Sequence, residues 1–123
     1  MMNLIPRPIP PEAYQSSRLR IVLVDSDNME PTLRKGDCVM VLPVTQFEYD
    51  TIYAIDRGDG LVIVIRAYQA RYGMIRLQRD NELYPRSDRD DLVDLDWFNE
   101  HVVGLVVADI KLRDPVALSR LSV

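Results

Sequence analysis

Apolar and polar residues alternate with a period of two over several short runs, each closed by glycine, proline or aspartate, and this is the pattern of half-buried strands joined by tight turns. Residues 19–24 are apolar and β-branched, which predicts a first strand. Val39 and Val41 alternate with Cys38 and Met40 in a second strand, which Leu42-Pro43 ends. Residues 50–56 predict a third, with Ile52, Ala54 and Asp56 on one side and Tyr53 and Ile55 on the other. Arg57-Gly58-Asp59-Gly60 is a turn signal that leads into 61–71, apolar almost without break to Ala67. Tyr72-Gly73 turns the chain again into 74–79, and residues 101–112 form an apolar closing strand. Helical periodicity is absent from all of these runs. The fold class predicted is therefore mainly β: antiparallel strands with short or no helices.

The two ends read differently. Pro6, Pro8, Pro10 and Pro11 make residues 1–18 an extended linker or arm with no ladder of its own. Residues 113–123 form a C-terminal tail whose Val116, Leu118 and Leu121 are free to pack on the body or on a partner. Between them, 19–112 is one domain. Within it, Asp88, Asp90, Asp91, Asp94 and Asp96 predict a solvated loop rather than a metal site, with Trp97 and Phe98 anchoring its end.

Composition narrows the function. A chain of 123 residues can bury roughly two-thirds of its unfolded surface in one domain. A net charge of −4 with no Lys/Arg stripe argues against direct nucleic-acid binding. The single cysteine, Cys38, excludes an internal disulfide and suits a reducing cytoplasm, where it is expected as a small apolar strand residue. The single histidine, His101, is too isolated for a metal site and is expected at a strand edge. Nothing calls for a cofactor. No apolar run reaches the ~18 residues of a membrane span, and no charged-then-apolar signal pattern opens the chain.

The segment 25–41, D-S-D-N-M-E-P-T-L-R-K-G-D-C-V-M-V, is a turn followed by a strand. Pro31 and Thr32 favour a non-helical corner, and Lys35-Gly36-Asp37 a second reversal in which Gly36 is free to take positive φ. The segment resembles the active-site region of the LexA-type serine peptidases, a group that includes phage repressors and, more distantly, signal peptidases. Their pattern is roughly G-D-S-M-x-P-T-L-x-x-G-D-x-V-x-V. Asp27, Met29, Pro31, Thr32, Leu33, Gly36, Asp37, Val39 and Val41 match it, and Ser26 stands where the first glycine would be. Asp80, Asn81, Tyr84 and Pro85 match a second motif, S-D-N-P-x-Y-P, and residues 101–112 match the closing strand. The resemblance spans 19–112 and implies a β-clip domain.

What the resemblance implies for catalysis turns on two positions. In the family a serine attacks the peptide carbonyl and a lysine, deprotonated by burial, takes its proton. Asn28 stands at the serine position and Ile65 at the lysine position, within Val64-Ile65-Arg66-Ala67. A carboxamide is a poor nucleophile and an alkyl chain has no lone pair. Arg66 points to the opposite strand face and does not deprotonate. Of the fifteen basic residues only Lys35 and Lys111 are lysines. The Ala-Gly or Cys-Gly bond that self-cleaving relatives cut occurs nowhere in the chain. The reading is a pseudo-peptidase, with Asn28 and Ile65 as degenerate dyad positions.

What remains for such a domain is association. The resemblance implies pairing through the closing strand, so Val102, Val103, Leu105, Val107 and Ile110 are the interface candidates in a homodimer. The expected role is the non-cleaving assembly domain of a phage-type repressor, alongside a DNA-binding domain fused or supplied by a partner. A free-standing partner forming mixed dimers with a repressor is the alternative, and an active serine peptidase a more distant one.

Overall fold

The structure, a computed structural model, describes residues 8–121. Its strands are β1 (Arg20–Leu23), β2 (Cys38–Pro43), β3 (Thr51–Asp56), β4 (Val62–Gln69), β5 (Met74–Gln78), β6 (Asp90–Asp94) and β7 (Val102–Ile110). All pairings are antiparallel and join them into one sheet of order β1-β2-β7-β3-β4-β5-β6. Helices are short: α1 (Arg86–Arg89), α2 (Leu95–His101) and α3 (Pro115–Ser119), with a 3-10 turn at Pro11–Gln15. No helix of the described residues is long and apolar enough to cross a membrane.

The alternation along 38–41 reads directly in the burial, since Val39 and Val41 are wholly covered while Cys38 and Met40 are half-exposed. In the turn 57–60, Gly58 and Gly60 take positive φ, and Asp56 and Asp59 accept from the amides of Gly58 and Leu61 at 2.8 and 2.9 Å. Tyr72 and Gly73, both at positive φ, reverse the chain between β4 and β5. An aromatic group fixes α2 to the sheet. Phe98 meets Tyr53 and Phe47 edge-on, at 5.1 and 5.4 Å between centroids. Burial pushes the Tyr53 phenol up from its ordinary pKa, and its hydroxyl is satisfied by donating to the Tyr49 carbonyl at 2.6 Å.

Two expectations change. Residues 88–96 are not a loop, because Asp90–Asp94 pairs with β5 as an edge strand. Their carboxylates have specific partners: Arg76 pairs with Asp90, Arg79 with Asp91, and Asp94 caps α2 through the Trp97 amide. His101 ends α2 rather than edging a strand, stacked on Trp97 at 4.1 Å with Nδ1 2.7 Å from the Trp97 carbonyl. The arm of residues 1–18 contains a 3-10 turn in the part described, and its first seven residues lie outside the described ones. In the tail, Val116, Leu118 and Leu121 are exposed, so they do not pack on the body.

The closing strand lies inside the sheet, between β2 and β3, and not at an edge. Two bulges bend it, at Val103 opposite Ala54/Ile55 and at Val107 opposite Met40/Val41. Gly104, between them, lets β2 approach closely: a Cβ there would lie 2.4 Å from Val41 Cγ1 and 2.6 Å from the Leu42 carbonyl oxygen. The bend separates two halves. Gly104 and Leu105 are paired on both sides, Val102 pairs with β3 alone, and Leu105, expected at an interface, belongs to the core. Beyond Leu105 the strand pairs with β2 alone.

Candidate functional site

The segment that resembles an active-site region forms a closed loop off the sheet. Its base is fixed by Val24, whose amide donates to the Asp37 carbonyl at 2.8 Å and whose carbonyl accepts from Gly36 at 2.7 Å. Gly36 takes φ +98°, a conformation costly for any residue with a Cβ. Met29 and Leu33 plug the loop into the core, while Pro31 and Thr32 lie exposed on its rim. Asp37 also holds the loop from within, accepting from the Arg34 amide at 2.8 Å.

Asn28 sits beneath this loop at 6% exposure, and its carboxamide is engaged at both ends. Nδ2 donates to the carbonyl of Val64 at 3.1 Å, and Oδ1 accepts from the Ser26 hydroxyl. Val64 immediately precedes Ile65, which is 1% exposed. The Asn28 carboxamide thus reaches the β4 backbone at the residue before Ile65, while Ile65 itself is not among the residues that line the cleft. Ile63, on the same strand face as Ile65, lines the cleft beside Asn28.

A second loop clamps the first. Asn81, also buried, donates from its backbone to the Asn28 carbonyl at 3.1 Å and from its side chain to the Asp27 carbonyl at 2.8 Å. The Tyr84 hydroxyl donates to Asp27 Oδ1 at 2.7 Å, and this bond raises the phenol's pKa. Asp80 receives both Nε and Nη2 of Arg66, at 2.9 and 2.8 Å, and the Thr32 hydroxyl at 2.6 Å. The Arg66 fork holds the Asp80 carboxyl below the usual carboxylate range, against the opposing effect of burial, and Arg66 is raised in turn. Arg66 is thus a clamp between the strand and both loops. Its role was not apparent from its strand face alone.

The cleft itself has a volume of about 170 Å³ and is lined by Ser26, Asn28, Arg57, Ile63, Arg79 and Tyr84. Lys35 lies exposed on the loop and Lys111 exposed just past β7; neither reaches the lining. Arg57 and Arg79 are the residues that sequence reasoning missed. One belongs to a turn and the other follows a strand, and no local pattern links them. Among the interface candidates, Val102, Val103 and Ile110 are half-buried and Val107 is 46% exposed.

A family model described as Peptidase S24-like matches residues 6–107 of the chain. No curated protein matches it.

Proposed function

The chain belongs to the Peptidase S24-like family, and from that premise we propose that it is a non-cleaving pseudo-peptidase domain that self-associates as part of a phage-type transcriptional repressor in the cytoplasm. One observation carries the loss of chemistry: the Asn28 carboxamide is bonded to the Val64 carbonyl beside a buried Ile65. An amide nitrogen whose lone pair is delocalised stands where an attacking oxygen is needed, and hydrocarbon where a base is needed. The hydroxyl of this loop that lines the cleft, Ser26, gives its proton to an amide oxygen, which is too weak a base to activate it.

Association draws support from the outer half of β7. Residues 106–110 carry a ladder only toward β2, which leaves backbone groups on the other side open among the described residues. The adjoining face joins Ile21 and Leu23 of β1 to Cys38 and Met40 of β2 and Ala108 and Ile110 of β7. Ile21 and Leu23 are 69% and 57% exposed, so this apolar face is uncovered in the single chain. The same surface serves the alternative role, a mixed dimer with a full-length repressor.

Incubation of the protein at alkaline pH, followed by mass spectrometry, tests the reading. The intact mass is expected, and a discrete truncated product would defeat it. Asn28→Ser alone is expected to stay unreactive toward a serine-directed phosphonate, whereas Asn28→Ser with Ile65→Lys is the minimum change that restores labelling. Labelling of the single variant would mean that a base had been overlooked.

A further inference from the structure

We propose that the cleft over Asn28 is a binding site for a carboxylate group, held by the guanidinium groups of Arg57 and Arg79 with the Asn28 carboxamide as a neutral donor. Occupation of the cleft is independent of self-association through the wing of β1, β2 and β7.

Two arginines meet in one small concavity of a chain whose net charge is −4. Among the described residues Arg57 has no ion pair, and the three pairs that exist involve Arg66, Arg76 and Arg79. Arg79 commits Nη1 to the Asp88 carbonyl at 2.7 Å and lies 3.6 Å from Asp91. Its Nε and Nη2 have no hydrogen-bond partner among the described residues, and those are two of the donors with which a guanidinium grips a planar carboxylate. Its position is fixed by the Tyr84 ring, 5.6 Å from the guanidinium carbon.

Asn28 adds a third donor. One Nδ2 proton goes to Val64, which leaves the second for a ligand oxygen at the cleft. Ile63 supplies an apolar wall, against which charge-assisted bonds are screened less than in open water. Two carboxylates stand nearby and oppose a guest anion: Asp27, held by the Tyr84 hydroxyl, and Asp91. Asp91 has a side chain 62% exposed, so water weakens its hold on Arg79. A volume of about 170 Å³ admits a carboxylate and the first carbons behind it. The group can come from a chain terminus or from an Asp or Glu side chain, since both present the same planar anion.

Sodium acetate titrated against sodium chloride at equal ionic strength, read by NMR at the arginine Nε–H and asparagine side-chain resonances, tests the site. Saturable shifts at Arg57, Arg79 and Asn28 are expected with acetate only. Arg57→Gln, on an exposed turn, should weaken the response about tenfold or more; Arg76→Gln, whose guanidinium pairs with Asp90 outside the cleft, should leave it unchanged. Two blocked peptides then identify the source. Preference for a free C-terminus over its amide assigns a chain end, and equal binding of an amidated peptide with an internal aspartate assigns a side chain. Acetate shifts no larger than those of chloride, or undiminished in Arg57→Gln, would overturn the assignment.

Discussion

Two regions of the molecule satisfy their groups in opposite ways. Around Asn28, the loops 25–37 and 80–84 are tied to β4 and to each other, and no buried side-chain polar atom of the described residues lacks a partner. Away from the cleft, β1, β2 and the outer half of β7 form a three-stranded wing with apolar residues on an uncovered face and one open ladder. Buried polar groups already paired within the chain gain nothing from a second chain, whereas uncovered apolar area and unpaired backbone do. Reshaping the cleft should disturb the fold, and reshaping the wing should disturb the self-association proposed above.

The most damaging change is expected at the joint between the two regions. Gly104→Val forces side-chain carbon into Val41 and the Leu42 carbonyl, and should cost about 3 kcal/mol in urea unfolding. Tolerance of this variant would mean that β2 and β7 are less tightly apposed than described. Next comes Asn28→Ala, which strips the Val64 carbonyl and the Ser26 hydroxyl of a partner, at a cost of about 2 kcal/mol by the same measurement. A neutral result would show the cleft to be no better satisfied than the wing.

Acid should loosen the cleft first. Asp80 has its pKa lowered chiefly by Arg66, so its contribution is complete above the ordinary carboxylate range and is lost as pH falls through the depressed folded value. Asp80→Asn should therefore flatten the fall of stability with acid, and an unchanged slope would remove Asp80 from the account. The smallest effect on stability belongs to the wing. Val107→Lys with Ile21→Lys should stay within about 0.5 kcal/mol of the parent. Sedimentation should nonetheless show the self-association proposed above to be lost, and a dimer that survives both charges would send the search to another surface.

Much of the strand pattern was legible in the chain itself. The alternation at 38–41 and the glycine turns are local, because pleat geometry and the φ available to each residue act within a few positions. The edge strand Asp90–Asp94 was hidden by its own carboxylates, which read as solvated until Arg76 and Arg79 were set beside them. The place of β7 between β2 and β3 was equally invisible, since an apolar strand looks the same at an edge or in the middle.

The residues alone carry the resemblance by which Asn28 and Ile65 are expected at the nucleophile and base positions, and they leave no lysine near Ile65 in the chain. Tertiary structure decided that Asn28 bonds the Val64 carbonyl, that Asn81 and Asp80 clamp the loop across 54 and 48 residues, and that Arg57 and Arg79 share one cleft. The division is physical. Side-chain chemistry is carried by each residue, whereas the distance between two side chains remote in sequence follows from register and loop closure, which the packed sheet alone fixes.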